Sequence, residues 1–333
     1  MAKNKLLLLF LILAGSLFGI AGNAGNANAI AVSPVVIEHE LAPGMSASGK
    51  IRLSNLANET QKYYVDALRF VPVGEEGRQE YINKNNDITG FSKWFSFGQT
   101  AYDIDGMTTI ETDYTITAPL DAEPGGHYGA VFYSLEPPET DEDFVGSSIA
   151  SKTGVLFLIK VAGDIVESAN IESFTSDKKV YSHLPSKFDI RIRNNGNVHF
   201  RPQGTVEIRN MWGAVVAKVP ANPSNSAVLP NSIRKVNTWW TKSDQLAVGG
   251  FFAGVSNEWN NFALGRYTAT VNATYGSQNT AFEQKAVTFW AIPWRLTLIL
   301  IILIIALYIA MSIYNKAIVS SAINKSNQAK KKK

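Results

Sequence analysis

Residues 296–313 read LTLILIILIIALYIAMSI, an unbroken run of apolar residues and small hydroxyls with no charge. With Ala291, Ile292, Pro293 and Trp294 in front, a helix built from this run is long enough to cross a hydrocarbon core of ~30 Å. Trp290 and Trp294 stand at its upstream edge, where amphipathic rings settle at headgroup level, and Arg295 is near enough to that edge to snorkel. Downstream come Lys316, Lys325 and Lys330 to Lys333, with no acid among them. Basic residues stay on the cytoplasmic side, so the expectation is a span over 291–314, a cytoplasmic tail over 315–333, and everything before Trp290 outside. A buried core helix is the competing reading, but so long an uncharged run suits lipid better than a soluble core.

The first 29 residues point the same way. Lys3 and Lys5 precede an apolar stretch from Leu6 to Ile20, and Ala27-Asn28-Ala29 offers small residues for cleavage. A signal peptide over 1–29 is expected, with Ile30 as the mature start. An uncleaved anchor fits less well, because the apolar run is short for a span.

Charge is partitioned along the chain. Of the 31 basic residues, two lie in the leader, six in the tail and one is Arg295; the remaining 22 face 28 acids, so residues 30–294 carry about −6. An acidic exported part argues against a nucleic-acid partner, which wants a basic face. The chain has no cysteine, which excludes disulfide staples, thiol nucleophiles and thiolate metal sites. The exported part must hold itself together by core burial, and at about 260 residues it is long enough to do so as two domains.

That part reads as strands. Runs rich in Val, Ile, Tyr, Phe and Thr recur between Gly, Pro and Asn clusters, and no long amphipathic helix pattern appears before the membrane run. In the first half, strands are expected at Ala31–Glu38, Gly49–Leu56, Lys62–Val71, Thr109–Thr117, His127–Leu135 and Thr153–Val161. The pattern resets near Gly163-Asp164, and strands follow at Ile165–Phe174, Lys187–Asn194, Gly204–Arg209, Ala214–Val219, Ser232–Trp240, Gly265–Tyr275 and Ala281–Trp290. About seven short strands with turn residues between them make an immunoglobulin-like sandwich. The fold class is therefore all-β: two tandem immunoglobulin-like β-sandwich domains, 30–163 and 164–290, followed by one transmembrane helix. The halves do not align as an obvious repeat.

Two segments resist the strand pattern. Residues 74–105 hold Phe91, Trp94, Phe95 and Phe97, with Phe91, Trp94 and Phe97 at helical spacing. This cluster is either a plug over one end of a sandwich or a platform on which a sugar or peptide stacks. The stretch from Glu136 to Phe144 combines prolines and acids and reads as a solvated loop; it lacks the fixed ligand pattern of a calcium site.

Catalytic and metal signatures are weak. His39, His127, His183 and His199 are scattered, and none stands at a metal-ligand spacing from another His or a carboxylate. Asp103-Ile104-Asp105-Gly106 opens like a calcium loop, but the twelfth position is Tyr114 instead of Glu. There is no nucleophile elbow, phosphate loop or dinucleotide fingerprint. No enzyme activity and no cofactor are expected. Asn58-Glu59-Thr60 and Asn272-Ala273-Thr274 match the glycosylation sequon, a weak three-residue signal. Trp94, Phe97, His127 and Tyr128 are the candidate ligand-binding residues, each with core or turn packing as its plainer role; Asn197 and His199 are equally ambiguous in the second half.

Several motifs in order carry a family resemblance: Ala31-Val32-Ser33-Pro34, Leu41-Ala42-Pro43-Gly44, Gly49-Lys50-Ile51-Arg52-Leu53-Ser54-Asn55, and the run from Pro119 to Phe132 containing Pro124-Gly125-Gly126-His127-Tyr128-Gly129. Asn195-Gly196-Asn197-Val198-His199, Pro202-Gln203-Gly204, Leu229-Pro230-Asn231-Ser232 and Gly265-Arg266-Tyr267 extend it into the second half. The chain resembles the WxL-interacting proteins of bacterial surfaces. The resemblance implies a peptidoglycan-binding first domain, an immunoglobulin-like second domain that contacts partner surface proteins, and a C-terminal membrane helix with a basic tail. The leading functional expectation is a non-enzymatic, membrane-anchored surface protein that binds the cell wall, other surface proteins, or both. The alternative is an adhesion or assembly scaffold that binds only proteins, through the edges of its sheets.

Overall fold

The protein is described by a computed structural model covering residues 30–138, 152–243 and 245–331. The expected signal peptide lies outside the described residues, as do most of the acidic loop beyond Pro138 and the last two lysines. The chain forms two compact units. One comprises residues 30–71, Tyr81–Glu123 and His127–Gly163; the other comprises Pro72–Glu80, Pro124–Gly126 and the chain from Asp164 onward. Each is an immunoglobulin-like β-sandwich, and the second continues into one long apolar helix.

The first sandwich is built from β1 (Ile30–Ser33), β2 (Val36–Leu41), β3 (Ser46–Asn55), β4 (Gln61–Val73), β5 (Arg78–Ile82), β6 (Phe95–Phe97), β7 (Ala101–Ile104), β8 (Thr109–Thr117), β9 (Gly125–Ser134) and β10 (Thr153–Val161). One sheet runs β1-β3-β8-β6 and the other β2-β10-β9-β4-β5, with β7 also paired to β4. The stretch expected as a single strand over Ala31–Glu38 is broken at Pro34, whose ring removes a ladder donor. The break lets the chain change sheets. β1 pairs antiparallel with β3, whereas β2 pairs parallel with β10, Val36 opposite Leu156. Alternation places Ile51 and Leu53, Tyr63 and Val65, Tyr114 and Ile116, and Phe157 and Ile159 in the core between the sheets.

The second sandwich repeats this plan with β11 (Ala169–Ser176), β12 (Val180–Tyr181), β13 (Ser186–Asn194), β14 (Gln203–Arg209), β15 (Val215–Pro220), β16 (Ile233–Trp240), β17 (Gly265–Tyr275), β18 (Thr280–Ala281) and β19 (Lys285–Ala291). Its sheets run β11-β13-β16 and β12-β19-β17-β14-β15, with β18 on β17. Again the first strand divides: β11 pairs antiparallel with β13, and β12 pairs parallel with the last strand, Val180 opposite Trp290. Phe188, Ile190, Ile192, Val206, Ile208, Ala269, Val271 and Phe289 fill the core.

Two helices complete the second unit. α1 (Phe251–Asn260) falls in a stretch where no helix is expected from periodicity; its ten residues are too few, and too rich in Gly and Asn, to show a helical stripe. α2 (Trp294–Lys331) contains the membrane run, and Trp294–Ser321 is long and apolar enough to cross a bilayer, with no part of its most apolar window buried by protein. Only Ile292 and Pro293 separate β19 from α2.

The same polar device closes both sandwiches. Asn55, fully buried at the end of β3, accepts hydrogen bonds from Ala57 N–H (2.9 Å) and Tyr63 Oη (3.1 Å) and donates through Nδ2 to the carbonyls of Glu59 (2.8 Å) and Ile104 (2.9 Å). Asn194, at the end of β13, accepts from Gly196 N–H (2.9 Å) and donates to the carbonyls of Val198 (2.7 Å) and Val228 (2.9 Å). In the first unit a second clasp joins the sheets, where Thr112 on β8 meets Tyr133 on β9, hydroxyl to hydroxyl at 2.6 Å, both side chains buried. Burial pushes the Tyr133 phenol up to about 12, against a smaller downward pull from the Thr112 bond.

Two outcomes follow from these clasps. Asn194→Ala strands buried carbonyls and an N–H and should cost about 3 kcal/mol, read as a lowered urea midpoint of the second unit in the detergent-solubilised chain. Tyr133 binds its proton more tightly when folded, so its stabilisation is intact below the unfolded value near 10 and is lost as pH rises from about 10 to about 12, up to about 3 kcal/mol. Urea unfolding of the first unit across that window should show the fall, and Tyr133→Phe should flatten it.

Candidate functional site

The irregular segment of the first unit is organised by Asp87. Its carboxylate accepts from the Thr89 hydroxyl (2.7 Å), the Thr89 N–H (3.2 Å), the Ser92 N–H (3.0 Å) and the Ser92 hydroxyl (3.1 Å). Burial raises the Asp87 carboxyl, but these four bonds outweigh it and hold it below the usual carboxylate range. The bonds set up a 3-10 turn over Phe91–Trp94, which enters directly into β6. The helical spacing of the aromatics is realised over that single turn, after which the chain extends.

The four candidate residues do not converge. Trp94 is only 6% exposed; its ring lies 5.0 Å from Phe91 edge to face and 4.7 Å from the His127 ring. His127 fixes itself by a 2.8 Å hydrogen bond between Nε2 and the Glu123 carbonyl. His127 and Tyr128 are neighbours on β9 and so face opposite sides of the sheet. His127 joins the Phe91–Trp94 plug, while Tyr128 packs against Phe70, beside a second aromatic group in which Tyr81 meets Phe132 at 4.8 Å. The faces of Trp94 and Tyr128 are thus taken by other side chains. The plug reading describes Phe91 and Trp94, which His127 joins; Trp94 and Tyr128 take the packing role named above as their plainer one, with little of either ring exposed.

Phe97 differs. It is half-buried and stacks nearly parallel on Phe95, with ring centroids 6.1 Å apart at 10°, and Phe95 is itself rooted edge to face on the core residue Phe157. The two rings form one wall of a groove of about 390 Å³. Tyr64, Asp66 and Lys84 line it as well, with Pro138 at its rim. Asp66 points outward from β4 and forms an ion pair with Lys84. Lys62 lies over the Tyr64 ring, 5.7 Å from its centroid. The groove thus sets the half-buried Phe97 ring beside a neutralised pair that can exchange hydrogen bonds with a polar ligand. Alternation along β4 sets Asp66 opposite the core residues Tyr63 and Val65, whereas Lys84 comes from the irregular segment, where no period announces it.

The described residues contain no group of three His, Asp or Glu side chains placed to hold a metal ion. No protein-family model matches the chain, and no curated protein matches it in sequence. Among solved structures, it is similar to the class 5 fimbriae chaperone CfaA at 12% identity over 80% of this chain and 100% of that one, with a TM-score of 0.34. It is also similar to the E. coli chaperone DraB at 8% identity over 78% of this chain and 95% of that one, TM-score 0.34. A third is the CsuC–CsuE chaperone–tip adhesion subunit complex of Acinetobacter baumannii at 9% identity, covering 62% of this chain and 89% of that one, TM-score 0.32. At this distance the likeness is one of fold, and no residue role passes from those proteins to this chain.

The geometry separates packing from recognition. Trp94→Ala opens a core cavity and should destabilise the first unit by about 3–5 kcal/mol, whereas Phe97→Ala, half-exposed, should cost about 1 kcal/mol. Urea unfolding of both variants checks the contrast, and equal losses would show that Phe97 is a core residue.

Proposed function

We propose that the chain is a non-enzymatic surface protein, held in the membrane by α2, that binds cell-wall material through the Phe97 groove of its first unit. The observation that carries this reading is the groove itself. The half-buried Phe97 ring lines it beside the Asp66–Lys84 pair, a combination that suits a sugar ring or a short peptide stem, both of which pair an apolar face with hydrogen-bonding groups. The resemblance to WxL-interacting proteins supports the same assignment, with the first domain on peptidoglycan and the second on surface proteins. The membrane role of α2 is supported by its length and apolarity and by the near absence of a linker after β19. With the lysine-rich end in the cytoplasm, both sandwiches stand outside.

One feature favours protein partners for the second unit. β15 is an edge strand whose outer positions Val215 and Val216 are exposed, and the turn before it presents Met211 and Trp212 to solvent. An edge strand with open backbone groups and apolar side chains accepts an added strand from another chain. This is the scaffold alternative, and it can hold alongside wall binding.

Co-sedimentation of the detergent-solubilised full chain with purified peptidoglycan sacculi across a salt series tests the wall assignment. Binding should persist at high salt, and Phe97→Ala should weaken it about tenfold, the worth of one good aromatic contact. Absence of binding, or binding that salt abolishes, would leave the scaffold role alone.

A further inference from the structure

α1 is amphipathic in the wrong sense for a water-facing helix. Its inward side is polar. Glu258 is 0% exposed and bonds to Arg295 Nη1 at 3.1 Å and to the Leu296 N–H at 2.9 Å, in the first turn of α2. Asn257 brackets the backbone of Ala247, accepting from its N–H (2.7 Å) and donating to its carbonyl (3.0 Å), and Asn261 accepts from the Ser243 N–H (2.9 Å). Gly254 lets the Arg295 side chain lie against the helix, for a Cβ there would stand 2.4 Å from Arg295 Nε. The outward side is apolar: Phe252 is 82% exposed and Trp259 73%, two turns apart on one face, with Val248 at 99% in the preceding loop. Phe262 and Leu264 extend this surface beyond the helix.

Charge follows the same division. From Gln245 to Leu264 the only ionisable side chain is Glu258, and it is withdrawn into its bonds with α2. Soluble surfaces scatter their large apolar residues singly; a contiguous uncharged patch of this kind marks a contact. The place of the patch identifies the contact. Glu258 ties α1 to the first turn of the apolar helix; Trp294–Ser321, 28 residues or about 42 Å as a helix, exceeds a ~30 Å hydrocarbon core, and Trp290, Trp294 and Arg295 at its start favour headgroup level for that end. Trp290, Ile292 and Trp294 are half-exposed at the same junction, and Phe251 of α1 packs against Trp294 at 6.2 Å. Beside them Leu246, Ile292 and Trp294 line a hollow of about 590 Å³ that also presents Lys178 and His183, room for a lipid headgroup next to an apolar floor.

From this we infer that α1 is a second membrane element, lying in the outer-leaflet interface with Phe252 and Trp259 inserted among the lipids, while Glu258 locks it to the span. The inference rests on the membrane reading of α2. It sets the second sandwich directly on the bilayer through two attachments, a span and an interfacial helix.

The absence of cysteine makes the test direct. Single cysteines are introduced as Trp259→Cys, Phe252→Cys and, in mid-span, Leu303→Cys, and each full-length variant is labelled with an environment-sensitive fluorophore and reconstituted in nanodiscs, where both leaflets face the medium. Labels at 252 and 259 should emit blue-shifted, be quenched by doxyl lipids with nitroxides near the headgroup, and lose quenching by aqueous iodide; the label at 303 should respond only to deep nitroxides. Iodide quenching at 252 and 259 with lipid quenching at 303 would overturn the interfacial helix while leaving the span intact. Iodide quenching at 303 would overturn the span and, with it, the inference. Protection of 252 and 259 from both lipid and aqueous quenchers would mean that a second copy of the chain covers the face, and would overturn the lipid assignment.

Discussion

Each sandwich depends on a buried asparagine at the end of its second long strand. Without disulfides, the crossing from strand to loop has to be fixed by hydrogen bonds, and a side-chain amide can satisfy several orphan backbone groups at once. Asn55 and Asn194 do so in the same geometry: the side-chain carbonyl accepts from the N–H two residues on, and Nδ2 donates to the carbonyl four residues on. Each also reaches a distant part of its own sandwich, the end of β7 through Ile104 in one unit and Val228 in the other. A group so placed is costly to leave unpaired, and that cost is what makes the loop conformation unique.

That correspondence reveals a repeat the sequence had half concealed. Ile51-Arg52-Leu53-Ser54-Asn55 and Ile190-Arg191-Ile192-Arg193-Asn194 occupy equivalent strands, with apolar residues inward, polar ones outward and the asparagine last. Only these few positions are constrained in kind; elsewhere a sandwich demands inward apolarity and tolerates almost any choice of residue. The two halves therefore share strand order, down to the first strand that leaves one sheet to pair in parallel with the last strand of the other, without sharing visible sequence.

The long strands were legible because they alternate over many residues. Thr109–Thr117, Thr153–Val161 and Gly265–Tyr275 have the bounds their patterns imply. The missed elements are short or irregular. β6, β7 and β12 have two to four residues, too few to show a period, and their pairing is imposed by the strands beside them. The candidate site shows the same limit. Aromatic type could be read in Trp94, Phe97, His127 and Tyr128, but exposure could not, because it depends on which partner each ring meets. His127 and Tyr128 part by the alternation of one strand, and Trp94 disappears beneath His127, leaving Phe97 as the candidate that lines the groove.

α1 was hidden for a different physical reason. A sequence reader assumes water outside and oil inside, and looks for apolar residues on the face turned toward the protein. Here Asn257, Glu258 and Asn261 turn inward, and Phe252 and Trp259 turn outward. Burying a carboxylate is tolerable only where its charge is answered. Arg295 answers it as a partner. The Leu296 N–H answers it as one of the donors that every helix start leaves unmet, and the positive end of the α2 dipole adds to both. The same two contacts tie down the start of the long helix, so the feature that makes α1 look inverted also gives α2 a defined beginning beneath the second sandwich.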